Sequence, residues 1–159
     1  MSNIVIRKAH KQDFDTVVRL TCELQDYLRR FDRRYKSGRA FRPTARKNVR
    51  KNFSSRHSRI LVVEHSGRVV GFCLGQVRKG FDVYLHDYIG FLYDAYLEPG
   101  FRKQGLMGQM LRQQFAWMQK RKVRYVELYV DPLNPVGMGA WVKYGFRPLM
   151  IRMRKDLKK

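Results

Sequence analysis

A basic turn that carries glycine separates an apolar stretch from a helical pattern between residues 97 and 111. Pro99 and Gly100 end the apolar stretch, because proline has no N–H for a strand ladder and glycine loosens the backbone. Arg102 and Gly105 follow, and the next apolar residues recur at helical spacing. The unpaired N–H groups of a first helical turn, its positive dipole end and the room beside glycine all favour a bound phosphate. The turn therefore predicts an anion site, and an ordinary strand-to-helix turn with a solvated Arg-Lys pair is the alternative.

The elements that must position this turn can be read from the spacing of apolar residues. Ile89–Leu97 is an apolar, aromatic run, and it predicts the strand that enters the turn. Leu106, Met110 and Leu111 share one helical face and predict a helix that reaches about Lys122. A strand, a turn and a helix thus follow one another around the predicted anion site.

The rest of the chain predicts strands and helices in mixed order around one central sheet, which is an α/β fold. The pattern predicts further strands at 4–6, 59–64, 68–78, 123–130 and 146–153, and helices at 13–34, 44–53 and 136–144. Pro43 is expected to break the helical pattern, with Thr44 as the N-cap of the helix after it. His65-Ser66-Gly67 is expected to turn a hairpin, and Gly145 to end the last helix.

Length and composition are those of one globular domain over residues 1–159, with 44% hydrophobic and 30% charged residues. No apolar run approaches the roughly 20 residues that a membrane-spanning helix needs. The first residues show no hydrophobic secretory segment, so we expect a cytoplasmic protein. Cys22 and Cys73 lack the spacing of metal ligands, so no metal site is expected, and we interpret both as small core residues.

The charge of the chain is strongly unbalanced, with 34 basic and 13 acidic residues and a net charge of +21. Such a field attracts polyanions, which include nucleotide cofactors and nucleic acid. The segment 29–59 carries thirteen Lys or Arg residues and one acid, Asp32, with aromatic residues between them. It fits a nucleic-acid surface on which arginines contact phosphates and aromatic rings stack on bases. A solvated basic face whose aromatic residues belong to the core fits it as well.

Two spaced motifs resemble one family. Arg102-x-x-Gly105-x-Met107 is similar to the Q/R-x-x-G-x-G/A loop of the GNAT acetyltransferase superfamily, which binds the diphosphate of acetyl-CoA. Met107 stands where that family usually has Gly or Ala. Farther along the chain, Asn134-x-x-Gly137-x-x-x-Trp141-x-x-x-Gly145-Phe146 resembles the family pattern N-x-x-A-x-x-x-Y-x-x-x-G-F. The resemblance covers about 4–153, and its strongest part is 89–146.

The resemblance implies a mixed sheet of six to seven strands, flanked by about four helices and splayed between the strands at 89–97 and 123–130. Backbone groups of the strand end would pair with the pantetheine arm of acetyl-CoA, and the turn would hold the diphosphate. The implied cofactor contacts are Ala95, Tyr96, Leu97, Arg102, Lys103, Gln104, Gly105, Leu106, Met107, Gly108, Asn134 and Trp141.

The implied chemistry is direct attack of an amine on the thioester. An aliphatic amine has a pKa of about 10.4 and must lose a proton first, so a base or a water chain to a base is needed. Asp94, a lone acid in the apolar strand, is the first candidate, Glu98 the second, and the pair His86 and Asp87 the third. An N–H near Tyr96 would stabilise the tetrahedral oxyanion.

The general acid is where the sequence departs from the family pattern, because Trp141 replaces the usual tyrosine and its indole cannot protonate a thiolate. Either the acid is dispensable, since thiols have a pKa of about 8.5, or a hydroxyl of Tyr96, Tyr129 or Tyr144 replaces it, or activity is weakened.

Two functions therefore fit the sequence. One is an acetyl-CoA-dependent N-acetyltransferase that acts on a small-molecule or peptide amine. The other is a catalytically weak module of this fold that binds nucleic acid or ribosomes through its basic segment at 29–59. The acceptor stays open, and so does the oligomeric state, for which a homodimer is one alternative.

Overall fold

The structure, a computed structural model, describes residues 3–157. Its strands are β1 (Ile4–Lys8), β2 (Ser58–His65), β3 (Arg68–Lys79), β4 (Tyr88–Leu97) and β5 (Val126–Leu128), and its helices are α1 (Phe14–Leu28), α2 (Gly38–Phe53), α3 (Leu106–Gln119) and α4 (Pro135–Lys143). The order is the mixed α/β order that the sequence predicts. The chain divides into a larger unit that ends at Tyr129 and a smaller unit that begins at Val130. None of the helices described between residues 3 and 157 has both the length and the apolar composition that crossing a bilayer requires.

The larger unit contains one sheet in the order β1-β2-β3-β4-β5. The first four strands are antiparallel neighbours, and β5 joins β4 in parallel. Five strands among the described residues are fewer than the six to seven expected. The predicted strand at 146–153 forms no strand, and β5 is three residues long. Pro148 has no N–H to donate to a neighbouring strand, and Leu149 and Met150 beside it are exposed. The residues that favour an extended backbone in this segment therefore do not pair with another strand.

In the basic segment 29–59, the end of α1 and the start of α2 both differ from the prediction. Helix α1 ends at Leu28, and α2 already begins at Gly38, so Pro43 lies inside α2 and Thr44 is not its N-cap. The start of α2 is stabilised from α1, because the backbone N–H of Gly38 donates to Asp26 Oδ1 at 2.9 Å. A carboxylate there satisfies an amide that the helix itself leaves unpaired and suits the positive end of its dipole.

The sheet is covered on both faces. Helices α1 and α2 pack on one face, where the buried residues are Val17, Val18, Leu20, Ala45, Val49, Ile60, Val62, Phe72 and Leu74. Successive residues of a strand point to opposite faces, so Leu61 and Cys73 face α3. Gln114 of α3 is fully buried, and its amide donates to the backbone oxygens of Arg59 and Cys73, each at 3.0 Å. These bonds fix α3 onto β2 and β3.

Two glycines shape the antiparallel part of the sheet, one in a turn and one at a close contact between two strands. Ser66 and Gly67 have φ angles of 49° and 82°, which confirms the predicted hairpin turn between β2 and β3. Gly71 of β3 lies against the end of β4, and a Cβ on it would collide with Leu97 Cδ2 and meet the backbone oxygen of Tyr96 at 2.8 Å. Glycine at 71 therefore lets β3 hold the end of β4 in place.

The variant Gly71→Ala is expected to lower the free energy of unfolding by about 1–3 kcal/mol, because the methyl group forces Leu97 and the backbone of β4 to move. Gly100→Ala is the matched control: a Cβ there meets nothing within 4 Å, so a change within about 0.5 kcal/mol is expected. Urea unfolding followed by circular dichroism measures both. Equal stability of the two variants would contradict the close approach.

Candidate functional site

Strands β4 and β5 pair only over a short stretch. Their register joins Gly90 to Val126, Phe91 to Glu127 and Leu92 to Leu128. Beyond this stretch β4 continues to Leu97, paired with β3 on its other side. The predicted parting of these two strands is confirmed, and it leaves the edge of β4 from Tyr93 onward open among the described residues. An open edge of this kind can pair with an extended ligand.

A β-bulge lies at the point where β4 leaves β5. Leu74 is opposite Asp94, but the next residue of β3, Gly75, is opposite Leu92, so Tyr93 is the extra residue. A bulge bends its strand and increases the local twist, which accounts for the parting. Directly opposite residues share a face of the sheet, so Asp94 lies on the same face as Leu74, the face that α1 and α2 cover.

The environment of Asp94 makes it a stronger base than an ordinary carboxylate. Its side chain is half-buried, and no hydrogen bond or ion pair to it occurs in the described part of the chain. Burial raises the pKa of Asp94 to about 6. The group is thus ionised at neutral pH, yet its proton affinity lies near the pH at which a general base works best.

Glu98, the second candidate base, is held in ion pairs. Its carboxylate lies 3.1 Å from Arg19 of α1 and 2.8 Å from Arg68 of β3, and its side chain is only 16% exposed. Both contacts are charge-assisted, so they hold this carboxylate between α1 and β3. The structure therefore distinguishes the two acids: Glu98 links α1 and β3, and Asp94 is unpaired.

Tyr96 is partly buried next to both signs of charge. Burial is the main cause that raises the pKa of its hydroxyl, and the neighbouring carboxylate of Glu23 raises it further, against the opposing effect of Arg102. The Tyr96 hydroxyl therefore stays protonated at neutral pH and can donate. The guanidinium of Arg102 lies over the Tyr96 ring, 5.4 Å from its centroid, and its Nε donates to Leu97 O at 2.8 Å. These contacts close the turn onto the end of β4.

The turn after β4 leaves a series of backbone N–H groups open. Among the described residues, those from Lys103 to Gly108 donate no hydrogen bond, and the first bond of α3 runs from the N–H of Gln109 to Gly105 O at 3.1 Å. Gly105 has a φ of 76° and precedes α3 without a capping side chain, while Leu106 is buried and anchors the helix. Open amides, glycine and the dipole of α3 together fit a diphosphate.

The other predicted cofactor contacts, Asn134 and Trp141, belong to the smaller unit. Asn134 is buried, and its Oδ1 accepts the N–H of Gly137 at 2.9 Å, so it caps α4. The ring of Trp141 contacts the ring of Phe146 edge-on, with 5.6 Å between the centroids. Gly145 has a φ of 88°, which confirms the predicted end of this helix. Each of these residues thus has a structural role within its own unit.

Two further candidates, His86 and Tyr129, pack against aromatic rings. The ring of His86 stacks on Tyr84 and contacts Tyr125 at 4.5 Å between centroids, and Tyr129 packs edge-on against Phe91.

Burial raises the pKa of Cys73 to about 12, so it remains a thiol at neutral pH.

Sequence reasoning missed Glu23, Arg19 and Arg68, which set the charge around Tyr96 and Glu98. No spacing signal could have found them, because the elements that carry them meet β4 only in the folded chain.

Comparison with known proteins identifies the family. The model of the acetyltransferase (GNAT) family matches residues 20–146, so the chain belongs to this family of acetyltransferases. No curated protein matches the chain by sequence.

Solved structures share the fold at low identity. A tetramutant protein from Bacillus halodurans is 16% identical and superposes with a TM-score of 0.83, over 96% of this chain and 99% of that chain. A predicted acetyltransferase from Clostridium acetobutylicum with acetyl-CoA is 15% identical, with a TM-score of 0.77 over 98% and 97% of the two chains. The aminoglycoside N-acetyltransferase AAC(6')-Iy in complex with CoA is 16% identical, with a TM-score of 0.76 over 98% and 96%.

The raised pKa of Asp94 predicts a pH-dependent effect on stability. The unfolded carboxyl has a pKa of about 3.9, below the folded value of about 6. Ionisation of Asp94 therefore destabilises the folded state relative to the unfolded state. This loss of stability is absent below about pH 4 and complete above about pH 6. We expect Asp94→Asn to raise the free energy of unfolding by about 1–3 kcal/mol at pH 7.5 and to change it little at pH 4.

Urea unfolding of both proteins between pH 4 and pH 8 tests this expectation. Asp82→Asn serves as the control, because the side chain of Asp82 is 82% exposed, so its substitution should change the free energy of unfolding little and by a similar amount at every pH. A gain from Asp94→Asn that is equal at all pH values would contradict the raised pKa.

Proposed function

We propose that this chain is an N-acetyltransferase, a single domain over residues 1–159 that transfers an acetyl group from acetyl-CoA to a primary amine. The cosubstrate is acetyl-CoA, in keeping with the family and with neighbours crystallised with CoA or acetyl-CoA. One observation carries the proposal: β4 parts from β5 after Leu92, and its open edge leads into a turn with free N–H groups. A strand-like pantetheine arm and a diphosphate fit those two features in that order.

The contacts proposed for acetyl-CoA follow the chain from β4 into α3. Backbone groups of Ala95, Tyr96 and Leu97 pair with the pantetheine arm. The diphosphate accepts hydrogen bonds from the N–H groups of 104–108, and its charge is balanced by Arg102 and Lys103. The proposed contacts of Asn134 and Trp141 rest on the second sequence motif alone.

The proposed chemistry uses Asp94 as the proton acceptor. Bound acetyl-CoA supplies a thioester carbonyl, and the acceptor must arrive as a neutral amine, although its pKa is about 10.4. Asp94, with its raised pKa, takes the proton of the ammonium group directly or through water. A backbone N–H near Tyr96 and Leu97 stabilises the oxyanion. The Tyr96 hydroxyl, protonated at neutral pH, is the proposed donor to the leaving thiolate.

Turnover tests the proposal. The protein is expected to release CoA thiol from acetyl-CoA with at least one member of a panel of aminoglycosides, polyamines and peptides. Asp94→Asn is expected to lower kcat/KM by about 10²–10⁴ and to abolish the rise in kcat/KM near pH 6, because the general base is lost. Glu98→Gln keeps that rise, since Glu98 is paired with two arginines. Failure of every amine, or full activity of Asp94→Asn from pH 5 to pH 9, would refute the assignment.

Binding of acetyl-CoA can be tested separately from turnover. Lys103→Gln is expected to raise the Kd for acetyl-CoA by about tenfold, because a charged contact to phosphate is worth about 1.5 kcal/mol. Lys36→Gln removes the same charge from an exposed position outside the turn and serves as the control. Isothermal titration calorimetry measures both, and equal effects would show that only the net charge matters.

A further inference from the structure

A basic groove lies on the α3 side of the sheet, within the larger unit. Its volume is about 480 Å³, within the range of about 300–1,000 Å³ that ligand pockets occupy. The groove is lined by Lys8, Arg59, Gln113, Ala116, Trp117 and Lys120. No acidic residue is among them, and none of these residues has a role in the proposed acetyl transfer.

Within residues 3–157, the cations at this groove form no ion pair with an acidic side chain. The guanidinium of Arg59 is partly buried and donates to Gln113 O at 3.2 Å, a neutral acceptor. Burial, and then the nearby charge of Arg121, lower the pKa of Arg59. Arg121 in turn donates to the backbone oxygen of Arg56 at 3.4 Å. Positive groups held together in this way favour an anionic ligand, which would relieve their mutual repulsion.

An aromatic ring completes the groove. Gln113, Ala116 and Trp117 of α3 and Lys120, the C-cap residue of that helix, lie on one side of it, because they are spaced three and four residues apart. The α3 residues that are buried against the sheet are Leu106, Met110, Leu111, Gln114 and Met118. Trp117 is not among them and is only half-buried. Its indole lies at the surface under the guanidinium of Arg121, 4.5 Å from the ring centroid.

We propose that this groove binds single-stranded nucleic acid, with phosphates on Lys8, Arg59, Lys120 and Arg121 and a base stacked against Trp117. Stacking on aromatic rings within a basic channel is the usual way in which such strands are bound. A recessed site with a flat ring suits a base and its phosphate better than a lipid surface, which would need a protruding basic face.

The groove differs from the surface that the sequence singled out. In the basic segment 29–59, Phe41 and Phe53 pack against the core and are not available to stack on bases. Two of its arginines, Arg34 and Arg46, are paired with acids. The segment contributes Arg59 to the lining of the groove.

The experiment uses the two tryptophans of the chain. In Trp141→Phe, Trp117 is the only fluorophore of its kind, and a 12-nucleotide single-stranded RNA is expected to quench it. Four phosphate contacts predict a loss of affinity of about 50-fold between 50 and 200 mM KCl. Arg59→Gln and Lys120→Gln in this background should each weaken binding and reduce the salt slope by about 0.7. Arg112→Gln is the matched control, an exposed α3 cation that does not line the groove.

Three results would overturn the proposal: no quenching of Trp117, equal losses from Arg112→Gln and from the groove variants, or tighter binding to phosphatidylserine vesicles than to RNA with the same residue dependence. The last result would assign the groove to membranes. Circular dichroism of each variant confirms folding, and Lys120→Gln, an exposed position, keeps the test valid if Arg59→Gln fails to fold. Thiol release from acetyl-CoA is a separate assay, so the two proposals stand or fall independently.

Discussion

An unpaired strand edge inside a sheet is the constraint on which this structure depends. Backbone N–H and C=O groups need hydrogen-bond partners, and β4 loses those of β5 after Leu92. The bulge at Tyr93 bends β4 away, while β3 stays paired with it up to Leu97, where Gly71 allows close contact. The edge is thus held rigidly from one side and open on the other, and it leads directly into the amides that precede α3.

The carboxylates around this edge show how surroundings decide what one functional group can do. Asp94 and Glu98 are four residues apart on the same segment, but Glu98 is paired with two arginines, and Asp94 has no ion pair among the residues that the structure describes. Burial raises the pKa of Asp94, whereas the carboxylate of Glu98 is held between Arg19 and Arg68. Tyr96, between them, has its own pKa raised and stays protonated. Two carboxylates on one short segment therefore differ in role: Asp94 is the candidate base, and Glu98 is a structural ion-pair partner.

The large positive charge divides between structural and solvent-facing roles. Some arginines stabilise the fold through specific pairs, as Arg7 does when it binds both Asp13 and Glu64 and so joins β1 and β2 to the start of α1. Other cations form no ion pair with an acid in the described part of the chain, and they lie around Trp117 at a groove. A net charge alone predicts attraction to polyanions but not the place of contact. Packing decides that place, because it buries some of the aromatic residues and leaves Trp117 at the surface.

The sequence by itself determined the family, the order of most elements and the features that depend on neighbouring residues. Glycine at 67, 105 and 145 marks positive φ angles, and the apolar face of α3 follows its helical period. The sequence also singled out Asp94, a lone acid in the apolar strand, as the first candidate base. Only the tertiary structure decided that α2 begins before Pro43, that 146–153 forms no strand and that Glu98 is paired with arginines. The physical reason is distance along the chain: Glu98 meets Arg19 across 79 positions, and no local pattern encodes such a contact.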